Sequence, residues 1–201
     1  LVQLSRHHDR PNAQEFIAHM TSSFVALRGD RTGSDDPSVE AGVGTLGGEA
    51  VVFIGQNRPH HREGESDGWI LASGFRKATR AIELADKFRL PIVTLIDTGG
   101  AYPSLANEEA GLGHAIARCT AAMLEATVPT VAVITGEGSS EAAVAMAVAD
   151  RVLMLDNAIY EVIRPEDAAQ ILLQEKGRAS EMAERLRITS HDCLKLGIID
   201  G

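Results

Sequence analysis

Two apolar runs, each followed by a glycine-bearing turn and then by a helix, constrain the fold of this 201-residue chain more than any other feature. The first run covers residues 91–97 (PIVTLID) and the second covers residues 129–134 (PTVAVI). Continuous apolar runs of this length are typical of strands that are buried on both faces by helices. Because strand, turn and helix then recur, the sequence predicts one α/β domain with right-handed crossovers.

Composition narrows the class of protein. Hydrophobic residues make up 44% of the chain and aromatic residues only 4%, which suits helices packed closely on a buried sheet. The formal net charge of −9 argues against nucleic acid as the main partner. No apolar run approaches the ~20 residues of a membrane span, and no signal peptide is visible. We therefore expect a cytoplasmic protein, with Cys119 and Cys193 as buried free thiols and the chain as part of a longer polypeptide.

The other elements are predicted from periodicity and turn chemistry. Strands are expected at residues 39–46, 49–55, 151–155 and 158–163, the first two joined as a hairpin at Gly47 and Gly48. Helices are expected at residues 12–27, 74–88, 107–126, 141–149, 165–173, 180–186 and 190–196. A long polar loop is expected at residues 56–73 and a turn at residues 136–140.

The first glycine-bearing turn, residues 97–104, leads from a buried strand towards a helix. Gly99 and Gly100 allow positive φ angles and a close approach of the backbone to a ligand. Main-chain amides in such a turn can bind an oxyanion, although a plain strand-to-helix connection has the same spacing. Tyr102 follows and could contact a ligand or simply pack.

The second turn, residues 136–143 (GEGSSEAA), also leads from a strand into a helix. Unpaired amides and the helix dipole favour negative charge there. The pattern Gly138-x-Ser140-x-Ala142 is an incomplete GxSxG, so a serine hydrolase with His114 and Asp97 as partners is an alternative.

Some charged and aromatic positions have two interpretations each. His60 and His61 with Glu63 could ligate a metal or lie in a solvated loop. Arg76 and Lys77 could be helix-surface charges or could meet a phosphate or a partner domain, and Trp69 could fold the loop back or touch a partner.

The order of several motifs resembles the alpha-type carboxyltransferase family of acetyl-CoA carboxylases. Residues 74–78 (GFRKA) and 84–88 (LADKF) resemble that family's GYRKA and LAEKF, and residues 97–103 (DTGGAYP) resemble its DTPGAYP. Residues 149–155 (ADRVLML) and 160–166 (YEVIRPE) resemble its ADRVLML and YSVISPEG. Residues 108–118 (EEAGLGHAIAR) and the N-terminal RH, RP and LRGDR segments also match, so the resemblance covers nearly the whole chain.

The resemblance implies a crotonase/ClpP-like fold, a spiral of ββα units, with residues 1–201 as one alpha-like domain. In that family the active site lies between an alpha-like and a beta-like domain. The beta-like subunit or domain holds the acyl-CoA and carries the zinc, so no metal is expected here. The alpha-like domain faces carboxybiotin on a biotin carboxyl carrier protein, and the carboxyl group passes to an acyl-CoA such as acetyl-CoA to give malonyl-CoA or a homologue, as in fatty acid biosynthesis. A dimer or heterotetramer is implied.

The same resemblance assigns roles to residues of the two turns. The backbone amides of Ala142 and Ala143 are implied as donors to the biotin oxygen, with Gly99 and Gly100 on the facing wall. Contacts with biotin are implied for Gly138, Ser139 and Tyr102.

This chain also departs from the family's pattern. The family reads GEGGSGGA where residues 136–143 read GEGSSEAA, so that Ser139, Glu141 and Ala142 replace glycines. Gly99 replaces a proline, and the basic insertion KGRDTKEKIRRNFGMP is replaced by residues 56–69. An anion at position 141 would oppose a developing oxyanion unless it points away or is protonated. A non-catalytic structural subunit and a malonyl-type decarboxylase are therefore kept as alternatives.

Overall fold

The computed structural model describes residues 1–58 and 68–201. The helices of these residues are α1 (Val2–Ser5), α2 (Ala13–Met20), α3 (Ala72–Phe88), α4 (Leu105–Glu109), α5 (Leu112–Glu125), α6 (Ser140–Ala147), α7 (Pro165–Leu173), α8 (Ala179–Leu186) and α9 (Ser190–Lys195). The strands are β1 (Phe24–Ala26), β2 (Val39–Leu46), β3 (Glu49–Gln56), β4 (Ile92–Thr98), β5 (Thr130–Ser139), β6 (Arg151–Met154) and β7 (Ile159–Glu161). A 3₁₀ turn, Lys176–Arg178, precedes α8.

The strands form one mixed sheet in the order β1-β2-β3-β4-β5-β6. The first three strands are antiparallel, and β3 through β6 are parallel, as the buried apolar runs predicted. Strand β7 pairs in parallel with the last residues of β5, beyond the part that pairs with β6. The predicted hairpin is confirmed, with Gly47 and Gly48 at φ angles of 60° and 95°.

Helices cover both faces of this sheet. Val52 and Ile54 of β3 face the cluster that α3, α5 and α6 form, whereas Val51 and Phe53 face Ala13 and Ile17 of α2. This alternation follows from the two-residue period of a strand. Cys119 and Cys193 are buried free thiols, as predicted. Among residues 1–58 and 68–201, no helix combines the length and the apolar content that crossing a lipid bilayer requires.

Helix α2 is shorter than the span of residues 12–27 that the sequence predicts. It begins with a capping box between Asn12 and Glu15 and ends at Met20. Residues 24–26 instead form β1, because the Phe24 ring occupies the space beside Gly42, where a Cβ atom would lie 2.4 Å from its Cζ. Pairing with β2 therefore overrides the helical period of these residues.

The helix predicted at residues 107–126 is in fact two helices. Gly111, at φ 81°, separates α4 from α5. The N-cap of α4 is Ser104 rather than Asn107, and its hydroxyl accepts the Asn107 amide. The Asn107 side chain instead bonds to the Ala72 amide at 2.7 Å and to the Tyr102 carbonyl at 2.8 Å. It therefore ties the first turn to the start of α3.

The polar loop predicted at residues 56–73 is shorter at both ends, since Gln56 completes β3 and Ala72 begins α3. His60, His61 and Glu63, the candidate metal ligands, lie outside the described residues.

Candidate active site

The ends of β4 and β5 bring the two turns together. Thr98 pairs with Gly138, although Ile96 pairs with Ile134, so β5 holds two extra residues over this interval. The resulting bulge places Gly136 directly under the Asp97 side chain. Both turns therefore leave the sheet side by side.

The prediction of a turn at residues 136–140 is wrong, because strand β5 continues to Ser139. Residues 137–139 pair with 159–161 of β7, and this pairing keeps them extended. The backbone enters the left-handed region at Ser140, which has a φ of 63° and is the first residue of α6. A positive φ is uncommon for a residue that has a Cβ atom, so the geometry of this junction is strongly constrained.

The first turn of α6 presents main-chain donors. Ser140, Glu141 and Ala142 are its first three residues, and such amides have no preceding carbonyl within their helix. Ala143 is fourth, a position whose amide ordinarily bonds to the carbonyl of the cap residue. The amides without an intrahelical partner are therefore those of Ser140, Glu141 and Ala142; Ser140 is half-buried and Glu141 exposed, whereas Ala142 is fully buried.

The methyl groups of Ala142 and Ala143 do not narrow the access of a ligand to the first turn of α6. Ala142 and Ala143 are both fully buried and pack in the hydrophobic core. The Ala142 carbonyl accepts a hydrogen bond from Nε2 of Gln56 at 2.7 Å, which anchors α6 to the end of β3. Replacing a family glycine by Ala142 thus adds a methyl to the core side of the helix.

The other two departures from the glycine pattern lie on opposite sides of the junction. Ser139 is buried within the pairing of β5 and β7, whereas Glu141 is exposed. The Ser140 hydroxyl donates a hydrogen bond to the Glu141 carboxylate. Glu141 is thus the departure that brings a charge to the exposed side of the α6 start.

The first turn is held by a threonine. The Gly100 amide donates to Oγ1 of Thr98 at 3.1 Å, and the Gly100 carbonyl accepts the Ile70 amide at 3.0 Å. Gly100 has a φ of 127°, and no atom lies within 4 Å of the position of a Cβ there. Gly99 is buried beside it. The turn therefore leaves open space next to its second glycine.

Tyr102 and Trp69 lie beyond this turn. Tyr102 is 46% exposed, and its ring meets the Trp69 ring edge-to-face at 5.7 Å between centroids. Its amide donates to the Ile70 carbonyl. This contact packs Trp69 against the first turn, while one side of Tyr102 stays accessible.

A buried ion cluster lies under both turns, and sequence reasoning missed it. Glu137 of β5 has a fully buried carboxylate that receives Arg6 Nε at 2.8 Å, Arg58 Nη2, and Arg164 Nε at 3.7 Å. Arg6 also binds Glu166 of α7 at 2.9 Å. The cluster therefore joins the N-terminal segment, the end of β3, β5 and α7.

Asp97 links this cluster to the first turn. Its Oδ1 accepts the Glu137 amide at 3.0 Å and lies 3.3 Å from Nε of Arg58. Burial raises the pKa of Asp97, and the positive charge of Arg58 opposes that rise. Arg10 donates to the Thr135 carbonyl nearby. Asp97 thus joins β4 to β5 at the bulge.

Other sequence candidates have structural roles. Lys77 is buried and donates to the carbonyls of Asp36 and Val39 at 2.7 and 2.8 Å. Arg76 binds Asp30 at 2.7 Å. The phosphate-binding alternative for these two residues is therefore not supported by their contacts.

The contacts of Asp97 also bear on the serine-hydrolase alternative. Within residues 1–58 and 68–201, they are with Arg58 and the Glu137 amide rather than with His114, which is exposed on α5. The same residues contain no group of three or more His, Cys, Asp and Glu side chains placed to hold a metal ion.

Gly136→Ala is expected to destabilise the protein by about 1–3 kcal/mol, a typical cost of overpacking. Its Cβ would lie 2.5–2.6 Å from the carboxyl atoms of Asp97, which is already held by hydrogen bonds. Urea unfolding measures the change. Gly113→Ala is the matched control, since no atom lies within 4 Å of that Cβ position in α5, and its stability should be unchanged or raised. Equal stability of the two variants would show that Asp97 moves without cost.

Solved structures share this fold. A transcarboxylase 12S structure, determined as a hexamer with methylmalonyl-coenzyme A and methylmalonic acid bound, superposes with a TM-score of 0.83 at 20% identity, over 96% of this chain and 38% of that chain. The beta subunit of the geranyl-CoA carboxylase of P. aeruginosa gives 0.76 at 19% identity, over 92% of this chain and 37% of its own. The predicted crotonase-like α/β fold is confirmed.

Sequence relatives are closer. The acetyl-coenzyme A carboxylase carboxyl transferase subunit alpha of Rhodospirillum centenum is 45% identical, over 99% of this chain and 64% of its own length. The protein of the same name from Caulobacter vibrioides is 44% identical, over 99% of this chain and 63% of its own length. The chain thus spans less than two thirds of the relatives it matches. The family model described as acetyl co-enzyme A carboxylase carboxyltransferase-like matches residues 1–201. This chain therefore belongs to the acetyl co-enzyme A carboxylase carboxyltransferase-like family.

Proposed function

We propose that this chain is the alpha-like half of a biotin-dependent acyl-CoA carboxyltransferase that carboxylates acetyl-CoA to malonyl-CoA. The observation that carries the proposal is the first turn of α6, which presents main-chain amides at the sheet edge where the turn of Gly99 and Gly100 also leaves. Family membership supports the reaction class.

The two turns fit a ligand that carries an oxyanion. Bound biotin supplies a ureido group that carries the carboxyl and on whose oxygen negative charge develops. The amides of the first turn of α6, those of Ser140, Glu141 and Ala142, would donate hydrogen bonds to that oxygen, and each such donor typically contributes ~2.7–4 kcal/mol. Gly100 leaves open space opposite, and the exposed ring of Tyr102 provides a surface for an apolar ligand. Gly138 and Ser139 serve by holding β5 in its pairing with β4 and β7.

The partners belong to the proposal as well. The net charge of −9 suits CoA binding by a beta-like subunit or domain better than by this chain. A biotin carboxyl carrier protein would deliver the ligand to the turns, and the complete enzyme would be a dimer or heterotetramer. Because Glu141 lies beside the amides, its charge is the feature that favours the competing non-catalytic role.

Reconstitution tests the proposal. The full-length protein, its beta-type partner, a carboxylated biotin carrier and acetyl-CoA should form malonyl-CoA, and omitting either this protein or the carrier should abolish the reaction. Malonyl-CoA formation with the complex but not without this chain supports the transferase. Consumption of malonyl-CoA without carrier would instead indicate a decarboxylase. If an assembled complex has neither activity, this chain is a structural subunit.

A further inference from the structure

Two fully buried carboxyl groups lie together at the end of β5. Glu137 is on β5, and Glu161 is on β7, where it pairs with Ser139, the residue before the left-handed Ser140. Both side chains have no exposed surface. They share one counter-ion, Arg6, whose Nη2 lies 2.5 Å from Glu137 Oε1 but 3.7 Å from Glu161 Oε1.

Their hydrogen-bond partners differ sharply. Glu137 receives charged donors from Arg6 and Arg58, which suit an ionised carboxylate. Neither oxygen of Glu161 receives a hydrogen bond from a donor within residues 1–58 and 68–201. An ionised carboxylate without donors is very costly to bury, whereas a neutral carboxyl can itself donate to a neighbouring anion. Glu137 is the anion nearby, since one atom, Nη2 of Arg6, lies 2.5 Å from Glu137 Oε1 and 3.7 Å from Glu161 Oε1.

We propose that Glu161 is protonated at neutral pH and donates its proton in a hydrogen bond to Glu137, and that this carboxyl–carboxylate bond fastens β7 to β5 below the start of α6. Loss of the proton leaves two carboxylates facing each other without enough donors. The pairing of β7 with residues 137–139 then weakens, and the first turn of α6 loses its support. The contact between β5 and β7 is therefore pH-sensitive, and it is so whether or not the proposed transferase reaction occurs.

The surrounding charges agree with this assignment. The charged groups that act on Glu161 are Arg6, Glu137 and Glu166, while Arg58 and Arg164 pair with Glu137. Burial and the charge of Glu137 raise the pKa of Glu161 from 4.5 to about 8, against the opposing charge of Arg6. A raised pKa in the folded state means that its contribution to stability is complete below pH 4.5 and is lost as pH rises through about 8.

Two sequence departures coincide in this cluster. The family motif YSVISPEG has serine where this chain has Glu161 and Arg164. The added acid, Glu161, and the added base, Arg164, both lie next to Glu137. Arg164 Nε is 3.7 Å from the Glu137 carboxylate, and the Glu161 carboxyl adjoins that carboxylate. The added acid is therefore part of a matched change rather than an isolated buried charge.

Hydrogen exchange of the full-length protein between about pH 6 and pH 9 tests the proposal, after correction for intrinsic exchange. We expect the hydrogen-bonded amides of residues 137–139, 143 and 159–161 to lose up to about 100-fold in protection in the wild type, because each pH unit between 6 and about 8 corresponds to about a tenfold change. Glu161→Gln, which keeps a neutral donor, should show no such loss. Glu125→Gln, an exposed change at the end of α5, should behave like the wild type. The infrared absorption of protonated carboxyl groups at pH 7 should be weaker in Glu161→Gln than in the wild type.

Three results would overturn the proposal. These are a pH-dependent loss of protection that persists in Glu161→Gln, a wild type without any such loss, and a protonated-carboxyl absorption at pH 7 that is equal in the two proteins. Should Glu161→Gln fail to fold, Glu161→Ser, which has the residue of the family motif, provides the same comparison. These readouts need no carrier, partner or acyl-CoA, so their failure is distinguishable from failure of the transferase assay.

Discussion

Glu137→Gln is expected to lower the free energy of unfolding by about 3–5 kcal/mol, the usual cost of removing one partner from a buried ion pair. The change keeps the shape of the side chain but removes the charge that Arg6, Arg58 and Arg164 share. Arg58 is only 7% exposed at its side chain, so water cannot replace the lost partner. Urea unfolding at pH 7 measures the change.

Glu166→Gln is the matched control. Glu166 binds the same Arg6, at 2.9 Å, but its side chain is 40% exposed. A partly exposed pair contributes about 0–1 kcal/mol, so this variant should remain close to the wild type. If both variants lose the same stability, burial does not determine the energetics of the cluster, and Glu137 is not its central residue.

The sequence predicted the parallel part of the sheet well because its signals are local. The buried runs that became β4 and β5, the hairpin at Gly47 and Gly48, and α7 all follow from patterns within a few residues. The prediction was wrong at residues 24–26 and 136–139, where pairing with a distant strand determines the conformation. Helical periodicity cannot reveal a strand whose partner lies elsewhere in the chain.

The site shows the same division. The two turns could be located from their glycines, and their meeting at one sheet edge followed from parallel pairing. The ion cluster could not be located from the sequence, because Arg6 and Glu137 are 131 positions apart and no local pattern connects them. The one available signal was the simultaneous replacement of two motif serines by Glu161 and Arg164. The core-facing direction of the Ala142 methyl also required the structure, because the sequence places this residue near the start of a helix without giving the direction of its side chain.

Ala142→Pro is expected to lower the kcat of carboxyl transfer by about 100-fold to 1,000-fold, the usual loss when one oxyanion donor is removed. Proline has no amide hydrogen, and at the third residue of α6 it removes no intrahelical bond, although its ring adds volume to a fully buried position. Ala142 is the third residue of α6, so the helix loses a donor to the ligand but none of its internal bonds. The loss should appear in kcat more than in KM, since charge on the oxygen is greatest in the transition state.

Ala142→Gly separates the loss of the donor from the change in packing. It keeps the amide, removes the methyl that packs in the core, and has the residue of the family's GEGGSGGA. We expect its kcat to stay within about threefold of the wild type despite some loss of stability. Melting curves of both variants establish that they are folded at the assay temperature. If a folded Ala142→Pro protein retains full kcat in the reconstituted complex, the amides of α6 do not stabilise the developing charge, and the site must lie elsewhere on the sheet edge.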